Sequence, residues 1–187
     1  MITEPETLRA LAHPVRLALL TYLMANSPAT ATQCAAAVDD TPSNCSYHLR
    51  TLAKIGLVEP VASADGRERP WRALVTGLAL PTDVDPRSAA GRHATLVTAM
   101  MTQRDQQLTR RHLERRDRLD RRWRNAEQFH TYTLRASPDE LRDLGEQIDA
   151  LLRPFITATR STAPDDAAQV HFGFHGFPVT TDDGRPL

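Results

Sequence analysis

Apolar residues in the first third of the chain recur at the spacing of short helices. Leu8 and Leu11 share one side of a first helix, and Pro14 interrupts it because proline disfavours the helical conformation in the residue before it. Pro14 then suits the first turn of the next helix. Gly56 stands where a helix end favours a left-handed residue. The pattern predicts four helices, over residues 5–12, 14–26, 33–38 and 42–55.

After Gly56 the hydrophobic period changes from that of a helix to that of a strand. Residues 57–61 and 71–75 predict two strands, and Asp65-Gly66 between them is a hairpin-turn signal. Two short helices joined by a tight turn and followed by a two-stranded hairpin outline a winged helix-turn-helix. The first 76 residues therefore predict such a domain.

The rest of the chain predicts a long helix and a smaller mixed unit. Prolines and glycine between residues 77 and 87 indicate a linker, and residues 88–128 form a polar helical stretch without proline. Beyond it the pattern predicts a strand, a helix and a strand, over residues 131–134, 138–159 and 169–177. We expect a mainly α fold in three parts: a winged helix-turn-helix DNA-binding domain (1–84), a long dimerisation helix (85–128) and an α+β unit (129–187).

Formal net charge is zero, but the charges are unevenly distributed. Residues 86–124 contain eleven arginines and four acids, whereas residues 125–187 contain five basic and ten acidic side chains. A second nucleic-acid surface is one interpretation of the basic segment. Its acids stand at helical neighbour spacing, which favours a solvated face or the rim of a dimer interface.

Two runs resemble the arsenic-repressor-like winged-helix regulators. Residues 11–20 (LAHPVRLALL) are similar to the helix pair on their dimer side, and residues 46–58 (SYHLRTLAKIGLV) are similar to their recognition helix. The likeness extends over residues 5–76. It implies a transcription regulator, typically a repressor, that binds double-stranded promoter DNA as a homodimer.

The fourth helix carries most of the expected DNA contacts. Its apolar stripe is formed by Cys45, Leu49 and Leu52, and its polar side chains lie opposite. Arginine can bind guanine and asparagine can bind adenine through paired hydrogen bonds. Arginines at the hairpin tip suit phosphates or the minor groove. The predicted DNA-binding residues are Thr32 and Gln33 at the start of the third helix, Ser43, Asn44, Ser46, Tyr47, His48, Arg50 and Lys54 of the fourth, and Arg67 and Arg69 of the hairpin.

A thin apolar stripe follows the predicted long helix at near-heptad spacing. The winged-helix domain is too small to cover a helix of this length, so a partner chain or the C-terminal unit must cover the stripe. A two-fold axis would place the same stripe on both copies. The predicted dimerisation residues are Val97, Met101, Leu108, Leu119 and Trp123, together with Leu8 and Leu11 of the first helix.

The sequence does not favour a metal site or a cofactor. Metal-sensing members of the resembled class typically place a Cys-x-Cys pair in the third helix, where this chain has Cys34 alone. We expect Cys34 and Cys45 to be buried core residues; a redox switch between them stays open if their helices cross closely. His171 and His175 would face one side of a half-buried strand, or bind a metal that lacks an evident third ligand.

Enzymatic motifs are absent: the chain has no glycine-rich phosphate loop, nucleophile elbow or zinc-binding His-Glu-x-x-His helix. No stretch resembles a signal peptide or a membrane span, so we expect a soluble, cytoplasmic, non-enzymatic protein. A different class stays open, a protein-interaction adaptor that keeps the winged-helix scaffold without binding DNA. The C-terminal unit would complete the dimer, bind a small-molecule effector, or form a ligand-binding or enzymatic tail.

Overall fold

The computed structural model describes residues 4–62, 69–81, 83–157 and 159–186. Helices dominate these ranges, which confirms the expected mainly α fold with a helix-turn-helix, a two-stranded sheet and a long helix. None of the helices in these ranges is long and apolar enough to span a bilayer. The elements are α1 (Pro5–Leu11), α2 (Pro14–Asn26), α3 (Ala31–Val38), α4 (Pro42–Lys54), β1 (Val58–Pro60), β2 (Trp71–Ala73), α5 (Ala89–Arg115), α6 (Arg121–Ala126) and α7 (Pro138–Leu152).

The boundaries of α3 and α4 follow from local capping. The Thr30 hydroxyl accepts a hydrogen bond from Gln33 N, and Gln33 Oε1 accepts one from Thr30 N, which completes a capping box. Asp39 ends α3 in the left-handed conformation at φ 56°. The Thr41 hydroxyl caps α4 by accepting from Asn44 N. A tight turn between the two helices results.

The described residues form two compact units, the first comprising Met1–Arg104 with Ile156–Gln169 and the second Asp105–Phe155 with Val170–Leu187. The core of the first unit brings together α1, α2, α4 and the start of α5. A fully buried leucine contributes about 1.5–3 kcal/mol of hydrophobic free energy relative to an exposed one. The fully buried leucines and valines of this core are Leu8, Leu11, Leu19, Leu20, Leu23, Leu49, Leu52, Val58 and Val97.

The predicted hairpin is confirmed as an antiparallel pair. Val58 pairs with Ala73 and Pro60 with Trp71. Trp71 also bridges to Ala29, just before α3, so the hairpin is fixed against the helix-turn-helix. The strands are shorter than predicted, and the expected turn at residues 65–66 lies outside the described residues.

The predicted helix over residues 88–128 is wrong in its second half. α5 ends at Arg115, a 3₁₀ turn covers Arg116–Arg118, and Leu119 is extended. The Asp120 carboxylate accepts from Arg122 N and so begins a separate helix, α6. The capping preference of Asp120 therefore overrides the continuous helical period.

In the second unit, α7 begins where predicted, with Ser137 and Glu140 forming the expected capping box. It ends at Leu152 rather than near residue 159, and a 3₁₀ turn containing Pro154 follows it. The two strands predicted over residues 131–134 and 169–177 are wrong, because neither segment pairs with another described segment. β-propensity without a hydrogen-bonded partner does not make a strand.

Candidate nucleic-acid interface

α4 separates a polar side from a buried side as its sequence pattern predicts. Cys45, Leu49 and Leu52 are fully buried. Tyr47 is 62% exposed. Most of the other predicted contacts on this helix are exposed as well: Ser43, Asn44, Arg50 and Lys54, with Ser46 half-buried. The polar side chains are therefore placed where a ligand can reach them.

A groove of about 500 Å³ joins α4 to the start of α3 and to the hairpin. Five of the predicted DNA-binding residues meet there, although they come from three separate elements. Groups that can donate hydrogen bonds to phosphate oxygens, arginine and hydroxyl side chains, dominate the polar part of the lining. The groove is lined by Thr30, Ala31, Thr32, Pro42, Ser43, Ser46, Arg50, Pro60, Arg69 and Trp71.

Four of the other predicted contacts, Gln33, Asn44, Tyr47 and Lys54, are exposed but do not line this groove. The Gln33 side-chain Oε1 accepts a hydrogen bond from Thr30 N at 2.8 Å, so part of the side chain's hydrogen-bonding capacity serves the α3 cap. Lys54 is exposed in the last turn of α4. Arg67 lies outside the described residues.

The turn before α4 is ordered by Asp40. Its Oδ1 accepts from Thr41 N at 2.6 Å and its Oδ2 from Asn44 Nδ2 at 2.7 Å. These hydrogen bonds, the backbone one first, lower the pKa of the Asp40 carboxyl because they stabilise its charged form. One amide hydrogen of Asn44 is therefore committed to the turn.

The prediction that His48 contacts DNA is wrong. His48 is only 6% exposed and lies on the buried side of α4, because it follows Cys45 by three residues and precedes Leu52 by four. Its ring centroid is 4.6 Å from that of His13, the residue that precedes α2. Sequence reasoning missed this histidine pair, although each member stands in one of the two quoted runs.

Both cysteines are fully buried, as predicted. Burial, with a smaller contribution from the neighbouring Cys45, raises the pKa of the Cys34 thiol to about 11. Burial likewise raises the pKa of Cys45. The thiolate is the form that binds metals and reacts with oxidants. This environment therefore disfavours soft-metal and redox chemistry at both positions.

His171 and His175 do not lie on a strand. In the second unit both contact Asp105, with Nε2 of His171 3.2 Å from Oδ1 and Nε2 of His175 3.4 Å from Oδ2. Across the described ranges no three His, Cys, Asp or Glu side chains are arranged to hold a metal ion. The arrangement is that of two imidazoles associated with one carboxylate.

Three of the predicted dimerisation residues are core residues of their own chain. Leu8, Leu11 and Val97 are fully buried within the first unit, so they are not available to a partner. Val97 is covered because α5 packs against the winged-helix core, which the sequence argument had treated as too small. Met101 packs against the same core. Three other predicted dimerisation residues keep accessible surface. Leu108 and Leu119 are half-buried, and Trp123 is 38% exposed.

Comparison with known proteins gives one family match. The comparison with curated proteins found no match. Among solved structures the chain is similar to MepR, a transcription regulator of the Staphylococcus aureus multidrug efflux pump MepA, at 14% identity and a TM-score of 0.31, over 76% of this chain and 78% of that one. That likeness is too weak to support an argument. Residues 11–61, from the end of α1 to just past β1, match a family described as a helix-turn-helix domain.

Proposed function

We propose that this chain is a transcription regulator of the arsenic-repressor-like class that binds specific double-stranded promoter DNA as a homodimer. The helix-turn-helix match over residues 11–61 supports the DNA-binding part of this proposal. The arsenic-repressor-like class rests on the two sequence runs quoted above. We expect the protein to act in the cytoplasm and, as is typical of the class, as a repressor.

The groove between α3, α4 and the hairpin carries the proposal. Arg50 and Arg69, from different elements, line it together with the hydroxyls of Ser43 and Ser46. A protruding helix beside a cationic groove of the protein matches the shape of duplex DNA. The helix can enter the DNA major groove, where base edges are accessible, while the protein groove contacts the phosphates that border it. A protein-interaction surface would not require this convergence of arginine and hydroxyl groups.

The elements take different roles in this arrangement. The N-terminal turn of α4, with Ser43 and Asn44, meets base edges, and Arg50 on the same side reaches guanine. Arg69, two residues before β2, contacts the sugar-phosphate backbone, which positions the protein without reading sequence. Arg67 is proposed for the same role from its sequence position.

Dimerisation follows from the geometry of operators. Two recognition helices one turn of DNA apart, about 34–36 Å, read an inverted repeat. Leu108, Leu119 and Trp123 are the apolar residues of the predicted stripe with accessible surface. We propose these three residues, all of the second unit, as the surface shared by the two copies.

Neither a metal nor a catalytic centre has a part in this function. The buried thiols of Cys34 and Cys45 are poor metal ligands. The effector in this proposal is a small molecule that the C-terminal residues bind.

The experiment is selection of duplexes from a random DNA pool by the full chain, followed by sequencing of the retained pool. We expect a motif with two inverted half-sites centred about 10 base pairs apart. The Arg50→Ala variant should retain DNA with weaker sequence bias. A pool that stays random for the parent chain would refute sequence-specific binding and favour the adaptor.

A further inference from the structure

Two histidines join the buried side of the recognition helix to the start of α2. The rings of His13 and His48 lie with centroids 4.6 Å apart at an interplanar angle of 43°. The Nδ1 atoms of both are buried, and neither has a hydrogen-bond partner among the described residues. Buried polar atoms are normally paired, and a proton added to either ring would place an unpaired charge in this contact.

The charges around the pair oppose its protonation. Arg16, in the first turn of α2, faces both rings with a permanent positive charge, while Asp40 faces His48 with a negative one. Tyr47 places its ring edge-on to His48, with centroids 5.2 Å apart. The Asp40 carboxylate already accepts hydrogen bonds from Thr41 N and Asn44 Nδ2, and these weaken its attraction for a protonated His48.

The net effect on each histidine is the same. Burial first, and then the Arg16 charge, lower the pKa of His13. Burial, His13 and Arg16, in that order, lower the pKa of His48 and outweigh the opposite influence of Asp40. In the unfolded chain both side chains regain an ordinary value near 6.5. Acid therefore favours any state in which the two rings separate and become hydrated.

We propose that the contact between His13 and His48 holds α4 in its DNA-binding position and is disrupted by protonation in acid. Protonation places positive charges 4.6 Å apart beside Arg16, and the repulsion displaces α4 from α2. Tyr47 transmits the change directly, because it contacts His48 and is itself exposed on the polar side of α4. This inference rests on the proposed DNA-binding function and gives that site a regulation by pH.

The test is the affinity of the full chain for its selected duplex between about pH 8 and pH 5.5, at constant ionic strength. Each histidine that must gain a proton can change the equilibrium by up to about tenfold per pH unit below 6.5. We expect the affinity to be constant above pH 7 and to fall at least tenfold by pH 5.5. A double variant, His13→Phe with His48→Leu, should lose this acid response and keep its binding at pH 8.

The matched control is His93→Asn, which removes a histidine of the same unit from outside the pair and should retain the acid response. Should the double variant fail to fold, imidazole NMR of the parent chain replaces it. We then expect the imidazoles of His13 and His48 to titrate below the ordinary histidine value, with the α4 amides changing at the same pH. Affinity that stays constant to pH 5.5, or an acid loss that persists in the folded double variant, overturns the inference. Absence of duplex binding at pH 8 would instead refute the proposed function. The NMR titration would still test whether acid disrupts the contact between His13 and His48.

Discussion

Asp40 and Asn44 are joined across the turn that precedes α4, where Asn44 Nδ2 donates a hydrogen bond of 2.7 Å to Asp40 Oδ2. The same carboxylate accepts from Thr41 N, the residue that caps α4. One side chain therefore fixes both the start of α4 and the amide of Asn44, a predicted base-reading residue.

Replacing Asp40 with alanine should lower the thermal midpoint at neutral pH. The pKa of Asp40 is lowered by its hydrogen bonds, so its stabilisation is present above the ordinary aspartate value and is lost as the pH falls through the folded value. The difference in midpoint between the parent and Asp40→Ala, measured from about pH 7 to pH 2.5, should therefore disappear in acid. A difference that stays constant over this range would contradict the assigned hydrogen bonds.

Arg50 should read sequence, and Lys54 should not. Both side chains are exposed on α4, but only Arg50 lines the groove. Arg50→Ala should cost roughly 1–3 kcal/mol on the selected duplex and little on random DNA. Lys54→Ala is the matched control and should weaken binding to the selected duplex and to random DNA slightly and equally. Titrations against the two duplexes measure this; equal losses on both for Arg50→Ala would remove its base-reading role.

Arg69 should behave differently from Arg50. It is placed at the hairpin, where a contact to phosphate carries no sequence information. Arg69→Ala should weaken binding to all duplexes about equally and reduce the salt dependence of binding by about one phosphate equivalent. A loss confined to the selected sequence would place Arg69 on a base edge instead.

Leu108 and Leu119 should determine the oligomeric state. Each leucine buried by a partner contributes on the order of 1.5–3 kcal/mol. The double variant Leu108→Asp with Leu119→Asp should be monomeric at micromolar concentration and lose tight operator binding, whereas Leu113→Asp, a 54% exposed position on another side of α5, should remain dimeric. Sedimentation analysis distinguishes them. A fully dimeric double variant would place the interface elsewhere.

The parts of the fold that sequence predicted correctly are those fixed by local interactions. The four helices and the hairpin follow from caps such as Thr30 and Thr41, from Pro14, and from a continuous apolar period. The C-terminal strands failed because pairing depends on a distant partner that periodicity does not supply. The break after Arg115 was missed because Asp120 is both a tolerable helix residue and a good cap.

The candidate site was predicted less completely than the fold. Exposure of the α4 polar side follows from helical spacing. The burial of His48 follows from it too, because His48 lies on the same side of the helix as Cys45 and Leu52. Its pairing with His13 depends on how α2 packs on α4. Val97 was assigned to a partner because the sequence does not indicate how much of α5 the winged-helix core covers.

The salt dependence of duplex binding tests the central claim most directly. Each phosphate neutralised by the protein releases condensed counterions, so the logarithm of the affinity should fall linearly with the logarithm of salt concentration. With Arg67 and Arg69 of both copies on phosphates, we predict a loss of about 10²-fold on the selected duplex between 50 and 200 mM salt. Affinity that is near absent at low salt, or that stays constant over this range, would contradict the account and favour a winged-helix protein that does not bind DNA.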